Sequence, residues 1–205
     1  MLIRRPLVSV LLLGVMAVSA CTTTSEGDPL PAESTGVPTS SNGEELPFGG
    51  APKVKDPLDT SRYEKDPCQS LTADQAESLK LPATGKIDDT VLLGIGCEWK
   101  NLSTRGYVQI EFIVDDPRGL SPVYRARKKF AYFEVLPDIE GYPAIARDGI
   151  DDRDNGYCIV LVGVADDMMF ASNVQLSRAN VGQKDPCQMA AQVAGMAVQT
   201  MKKEA

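Results

Sequence analysis

Histidine is absent from all 205 residues, and tryptophan occurs once. Without histidine no Ser-His-Asp or Cys-His relay can form. No Cys-x-x-Cys pair occurs, so a structural zinc site has neither its usual thiolate spacing nor an imidazole, and Ser-x-x-Lys is missing too. No residue is therefore assigned to catalysis or to a metal, no cofactor is expected, and the chain reads as non-enzymatic. Positive charge is also short: 21 Lys and Arg stand against 28 Asp and Glu, a net charge of -7. Nucleic-acid affinity rests on neutralising phosphates, so nucleic acid is excluded as a partner. No apolar run reaches the roughly 20 residues that a membrane-spanning helix needs.

A shorter apolar run is present. Arg4 and Arg5 precede a dozen apolar residues, Leu7 to Val18, and small residues Ser19 and Ala20 precede Cys21. This is the layout of an export signal with its cleavage site, and Val18-Ser19-Ala20-Cys21 resembles a bacterial lipobox. The expectation is a signal peptide over residues 1–20. Cys21 then becomes a mature N-terminus carrying a diacylglycerol with palmitate-type chains, two of which hold a protein stably at a membrane. The partner so implied is the extracytoplasmic face of the cell membrane, reached through the anchor. The signal carries two arginines and no acid, so the mature chain has 19 basic and 28 acidic residues, a net charge of -9.

Residues 21–65 are rich in Thr, Ser, Gly, Pro and Glu, a composition that buries too little apolar surface to order itself. They read as the lipidated cysteine and a disordered stalk, either a spacer or a loose terminus. Residues 66–205 read as the folded domain. Its four cysteines suggest two disulfides in an exported chain. Three connectivities exist. Cys68 and Cys97 are 29 positions apart, as are Cys158 and Cys187, and Cys68 and Cys187 both sit in Asp-Pro-Cys-Gln. The matched spacing and context favour Cys68–Cys97 and Cys158–Cys187, each joining a helix start to a strand start.

Local patterns fill in the domain. Thr72-Ala73-Asp74-Gln75 fits a capping box, with Leu71 and Ala76 as its hydrophobic staple. Residues 87–95 are an ambiguous strand or loop. Cys97 and Trp99 share one face of a short strand, and Val108, Ile110, Phe112 and Val114 alternate with polar residues in a second, predicting a hairpin. Ser121-Pro122 suggests an N-cap and N1, followed by helical spacing through Phe130. Tyr132 to Leu136, the stretch after Gly141-Tyr142-Pro143-Ala144, Cys158 to Val164 and Met168 to Leu176 read as strands. Asp185-Pro186 opens a final helix with an apolar stripe of Met189, Val193, Met196, Ala197 and Met201. The fold class expected is α+β, an antiparallel sheet packed with helices.

Taken together, the lipobox, the Ser/Thr/Pro stalk, the paired Asp-Pro-Cys, Cys97-Glu98-Trp99 and Gly141-Tyr142-Pro143-Ala144 resemble actinobacterial lipoproteins of domain of unknown function family 3558. The resemblance implies a cell-envelope protein and carries no activity with it.

Three clusters remain as candidates for binding. Arg125, Arg127, Lys128 and Lys129 form a basic group on the predicted helix, read as a solvated face or as a contact for an anionic partner, a lipid headgroup or an acidic protein surface. Asp148, Asp151, Asp152 and Asp154 form an acidic loop without the glutamate that a calcium loop uses as bidentate ligand. Met168, Met169, Met189, Met196 and Met201 read as core, with an adaptable apolar pocket as the alternative. The function expected is a non-enzymatic module that contacts or regulates another envelope protein; the alternative is a carrier of a small apolar or envelope-derived ligand. A flat apolar face favours the first and a cavity of several hundred Å³ favours the second.

Overall fold

Alternation builds the sheet. In the strand Gly106–Phe112, Val108, Ile110 and Phe112 are buried on one face, while Tyr107, Gln109 and Glu111 are half-buried on the other. The computed structural model of the chain describes residues 43–203. The expected signal peptide, Cys21 and the first half of the expected linker lie outside them. Seven strands pair in one sheet: β1 (Lys86–Asp88), β2 (Ile95–Asn101), β3 (Gly106–Phe112), β4 (Tyr132–Ile139), β5 (Tyr142–Asp148), β6 (Tyr157–Gly163) and β7 (Met169–Gln175). Their order is β1-β2-β3-β7-β6-β5-β4, and every neighbouring pair is antiparallel. Two meanders, β1 to β3 and β4 to β7, thus meet where β3 pairs with β7. The expected α+β class and antiparallel sheet are what the described residues show.

One face carries the main core. The helix α3 (Pro186–Lys203) lays Ala190, Val193, Ala194, Ala197, Val198 and Met201 on the sheet, all fully buried. Beneath them sit Ile110, Phe112, Val160, Val162 and Phe170. The Phe112 and Phe170 rings lie 5.8 Å apart. Burying an aromatic or branched side chain contributes about 1.5–3 kcal/mol, so this layer dominates stability. Ser172 and Gln75, though not Trp99 Nε1, find partners in the helices. Ser172 Oγ donates to Ala190 O at 2.9 Å. The capping box of α1 (Ala73–Ser78) forms as expected, and its Gln75 reaches on to α3, donating to Met196 O at 3.0 Å. Asp185 caps α3 by accepting from the Cys187 and Gln188 amides. Both disulfides are the expected ones: Cys68–Cys97 ties a 3-10 turn (Pro67–Ser70) to β2, and Cys158–Cys187 ties β6 to α3. Each closes a loop worth roughly 3–4 kcal/mol by the chain-entropy model.

The opposite face is covered only in part, by α2 (Ser121–Arg125), the turn after it, and the start of a strap of chain whose later residues, Val54, Leu58 and Tyr63, pass into the main core. That strap corrects the expectation of a disordered linker reaching to residue 65. Leu46, Phe48, Val54, Leu58 and Tyr63 are all buried. Val54 N donates to Asp166 Oδ1 at 2.8 Å, Leu58 N to Val164 O at 2.9 Å, and Phe48 N to Ser121 Oγ at 3.0 Å. Proline-rich composition reads as disorder, but each proline also removes an amide donor that would otherwise need a partner. An extended strap with few amides to satisfy can therefore dock through its apolar residues and a handful of amide bonds.

Three smaller expectations change as well. Ser121 is the first residue of α2 and holds the strap instead of capping the helix. The helix stops at Arg125, and residues 127–129 form a 3-10 turn, so no long basic helix exists. Within residues 87–95, only Ile87 and Asp88 join β1, Ile95 opens β2, and the six residues between form a loop.

Candidate functional site

The uncovered part of the second face forms a groove of about 470 Å³. Its floor is the sheet: Gln109 and Glu111 from β3, Ala171 and Asn173 from β7, Ile159 and Leu161 from β6, and Arg147 from β5. One wall is the loop with Val91, Leu92 and Leu93, and the other is Val123 of α2 with Phe130 just beyond it. Close approach makes the first wall possible, since a Cβ on Gly94 would sit 1.8 Å from Phe112 O.

Strand register places the polar groups. Arg147 pairs with Ile159, Ile159 with Asn173, and Asn173 with Gln109, so the four form one row across the sheet. Arg147 and Asn173 therefore flank Ile159 with backbones about 10 Å apart, two strand spacings. The amides in this row have a fixed direction. Asp88 carboxylate can only accept, so Gln109 presents its NH2, donating at 2.7 Å. The Gln109 carbonyl then faces Asn173, whose NH2 donates to it at 2.6 Å. Asn173 Oδ1 is left as a buried acceptor without a partner, and Arg147 Nε is a buried donor without one. Among the described residues one further side-chain atom is orphaned in this way, Trp99 Nε1, on the opposite face.

Electrostatics follow from this burial. Desolvation raises the Glu111 pKa above the usual carboxylate value, against the pull of the Arg147 charge and the Asn173 bond. Asp88, at the groove's far end, is held below its usual value by its bonds from the Thr90 side chain and amide. Burial raises the Tyr157 and Tyr107 hydroxyls above the usual tyrosine range, and Glu98 adds to the Tyr107 shift. The Arg147 guanidinium lies 5.4 Å from the Phe130 ring centroid and has no ion pair within the described residues.

Two other hollows carry less. One of about 100 Å³ beside α1, lined by Leu79, Leu81 and Met189, has room for little more than water. One of about 380 Å³ beside Cys187 is lined by Tyr132, Glu134 and Arg153, but these already pair: Tyr132 donates to Glu134, and Arg153 binds Asp151.

The basic cluster singled out from sequence is not part of the groove floor and is partly spent on the strap. Arg125 pairs with Glu44 and stacks 3.9 Å from the Phe48 ring centroid. Arg127 donates to Gly49 O and Tyr124 O, both at 3.0 Å. Lys128 and Lys129 are exposed. In the acidic loop, Asp148 is buried and accepts from the Ile150 and Asp152 amides, while Asp151 pairs with Arg153. The methionines divide between the faces: Met201 is buried under α3 and Met169 on the groove side. They form no single pocket.

Sequence reading missed Gln109, Glu111, Arg147 and Asn173. A usable signal existed, because β6 is apolar at successive positions and β7 begins so with Met169, Phe170 and Ala171, which marks a sheet covered on both faces. An asparagine inside such a strand must meet a partner or a ligand. No curated protein and no solved structure matches the chain. A family model described as Protein of unknown function (DUF3558) matches residues 16–200, and the chain belongs to that family.

Proposed function

We propose that this chain is a non-enzymatic binding protein of the cell envelope that holds a small amphipathic ligand in the groove over β3, β7, β6 and β5. The observation that carries the reading is a concave, mostly apolar surface of about 470 Å³ with a buried donor, Arg147 Nε, and a buried acceptor, Asn173 Oδ1, left without hydrogen-bond partners in its floor. Leaving a buried polar group unpaired costs about 1–3 kcal/mol, and a ligand that supplies both partners offsets that cost. Apolar sites with a few converging polar groups are the usual form of small-molecule sites. The location half of the proposal rests on the signal-like residues 1–20 and on Cys21 as the lipidated residue.

Nile red, a neutral apolar dye, tests the groove directly. Its fluorescence should rise on binding the full-length protein. Ile159→Trp, which fills the floor between Arg147 and Asn173, should weaken dye binding at least tenfold, and Gln192→Trp on the exposed side of α3 should not. Equal binding by both variants defeats the groove reading. For the anchor, Cys21→Ala should shift the protein from the membrane to the soluble fraction or leave an uncleaved precursor. Unchanged fractionation defeats that half.

A protein-contact reading has one observation of its own. Leu92 and Leu93 are 93% and 46% exposed along one wall, the kind of apolar lip that a partner could cover. Crosslinking of the full-length protein to one dominant envelope protein through this wall supports it.

A further inference from the structure

Resting on the groove reading, we infer that the ligand is a single-chain carboxylic acid, its carboxyl seated over Ile159 between Arg147, Asn173 and Glu111 and its apolar chain running toward Leu92 and Leu93. The floor sets three demands on the head group. Arg147 requires an acceptor, and a planar carboxyl suits a guanidinium better than a lone hydroxyl does. Asn173 Oδ1 requires a donor, because the bonds from Asn173 to Gln109 and from Gln109 to Asp88 fix its orientation. Glu111 beside it limits the negative charge the head can bring.

A carboxyl group meets all three. One oxygen accepts from Arg147, and one proton held between the ligand and Glu111 or Asn173 removes the clash of acceptors. An alcohol has a single oxygen and lacks the planar pair that spans from Arg147 to Asn173. A phosphate monoester brings more charge than one cation facing Glu111 and Asp88 can balance. The apolar tail follows from the walls, where Phe130 and Val123 face the loop residues Val91 and Leu93, and Leu92 stands almost fully exposed at the rim.

Displacement of Nile red from the full-length protein by dodecanoate, 1-dodecanol and dodecyl phosphate, each below its micellar concentration, tests this. Dodecanoate should displace the dye at about one tenth of the concentration that either of the other two requires. Arg147→Leu should abolish that advantage by weakening the acid while leaving the alcohol within about twofold. Arg147→Lys, which keeps the charge but not the planar fork, should lose most of it. Three results overturn the inference while leaving the groove reading intact: acid and alcohol displacing equally, dodecyl phosphate displacing best, or the acid's advantage surviving both Arg147 variants. If Nile red binds but none of the three displaces it, the inference also fails. If the dye itself does not bind, the groove reading has failed first.

Discussion

On the α3 side of the sheet, Phe112, Phe170, Val160 and Val193 are fully buried, and Ser172 finds a carbonyl in the helix above it. On the other side the same strands present Gln109, Glu111, Asn173 and Arg147 to a groove that no helix fills. β3 shows the contrast within seven residues: its odd-numbered side chains are half-buried and polar where its even-numbered ones are buried and apolar. The difference teaches where stability and binding reside. The closed face gains from every buried methylene and, among the described residues, leaves Trp99 Nε1 alone without a partner, whereas the groove face holds an orphaned donor and acceptor together, stability given up that a ligand would restore on the proposed reading.

The largest effect that would sharpen this comparison is a matched pair of truncations. Phe112→Ala should cost about 3–5 kcal/mol in urea denaturation. Phe130→Ala, at the half-open groove wall, should cost less than half as much and should instead reduce Nile red binding. Equal costs would erase the distinction between the faces. Next, Cys158→Ala with Cys187→Ala should cost roughly 3–4 kcal/mol and leave dye binding in place, because this disulfide staples α3 and not the groove. Smaller again, Asp166→Ala strips the Val54 amide of its partner and should cost about 1–3 kcal/mol. Limited proteolysis should then cut the strap faster, which a disordered linker would not show.

The smallest effect is on Glu111 and depends on pH. Burial raises its pKa in the fold, so it supports the folded state below its ordinary value of 4.5 and that support is lost as pH rises through the folded value. Glu111→Gln should raise the melting temperature at neutral pH and have little effect in acid. The charged and polar groups facing Glu111 are Arg147 from β5, Asn173 from β7, Asp88 from β1, Tyr157 from β6 and Asp116 at the rim. Only Arg147 among them opposes the shift through its charge. A variant less stable than the native chain at neutral pH would show that Glu111 is compensated in the free protein.

Much of the closed face was legible in the sequence. The repeated Asp-Pro-Cys-Gln and the equal spacing of 29 expose the disulfides, and the Thr72 to Gln75 box and the α3 stripe are local signals. The strap was hidden because proline, glycine and charged residues dominate its composition, while its binding depends on single apolar residues meeting Ser121, Val164 and Asp166 far along the chain. The groove was hidden for a related reason. Gln109 and Glu111 look like the solvent side of an ordinary amphipathic strand, and Arg147 meets Asn173 only through the registers of β5 with β6 and β6 with β7. The basic run Arg125 to Lys129 stood out instead because its charges are adjacent in sequence, although half of them hold the strap.

Native mass spectrometry of the full-length protein, purified gently from the cells that make it, bears most directly on the claim that the open face is a ligand site. The account predicts one small molecule per chain, acidic and apolar, that survives purification and is lost from Ile159→Trp. A protein that emerges with no bound small molecule, or one that Ile159→Trp retains at full occupancy, would contradict it.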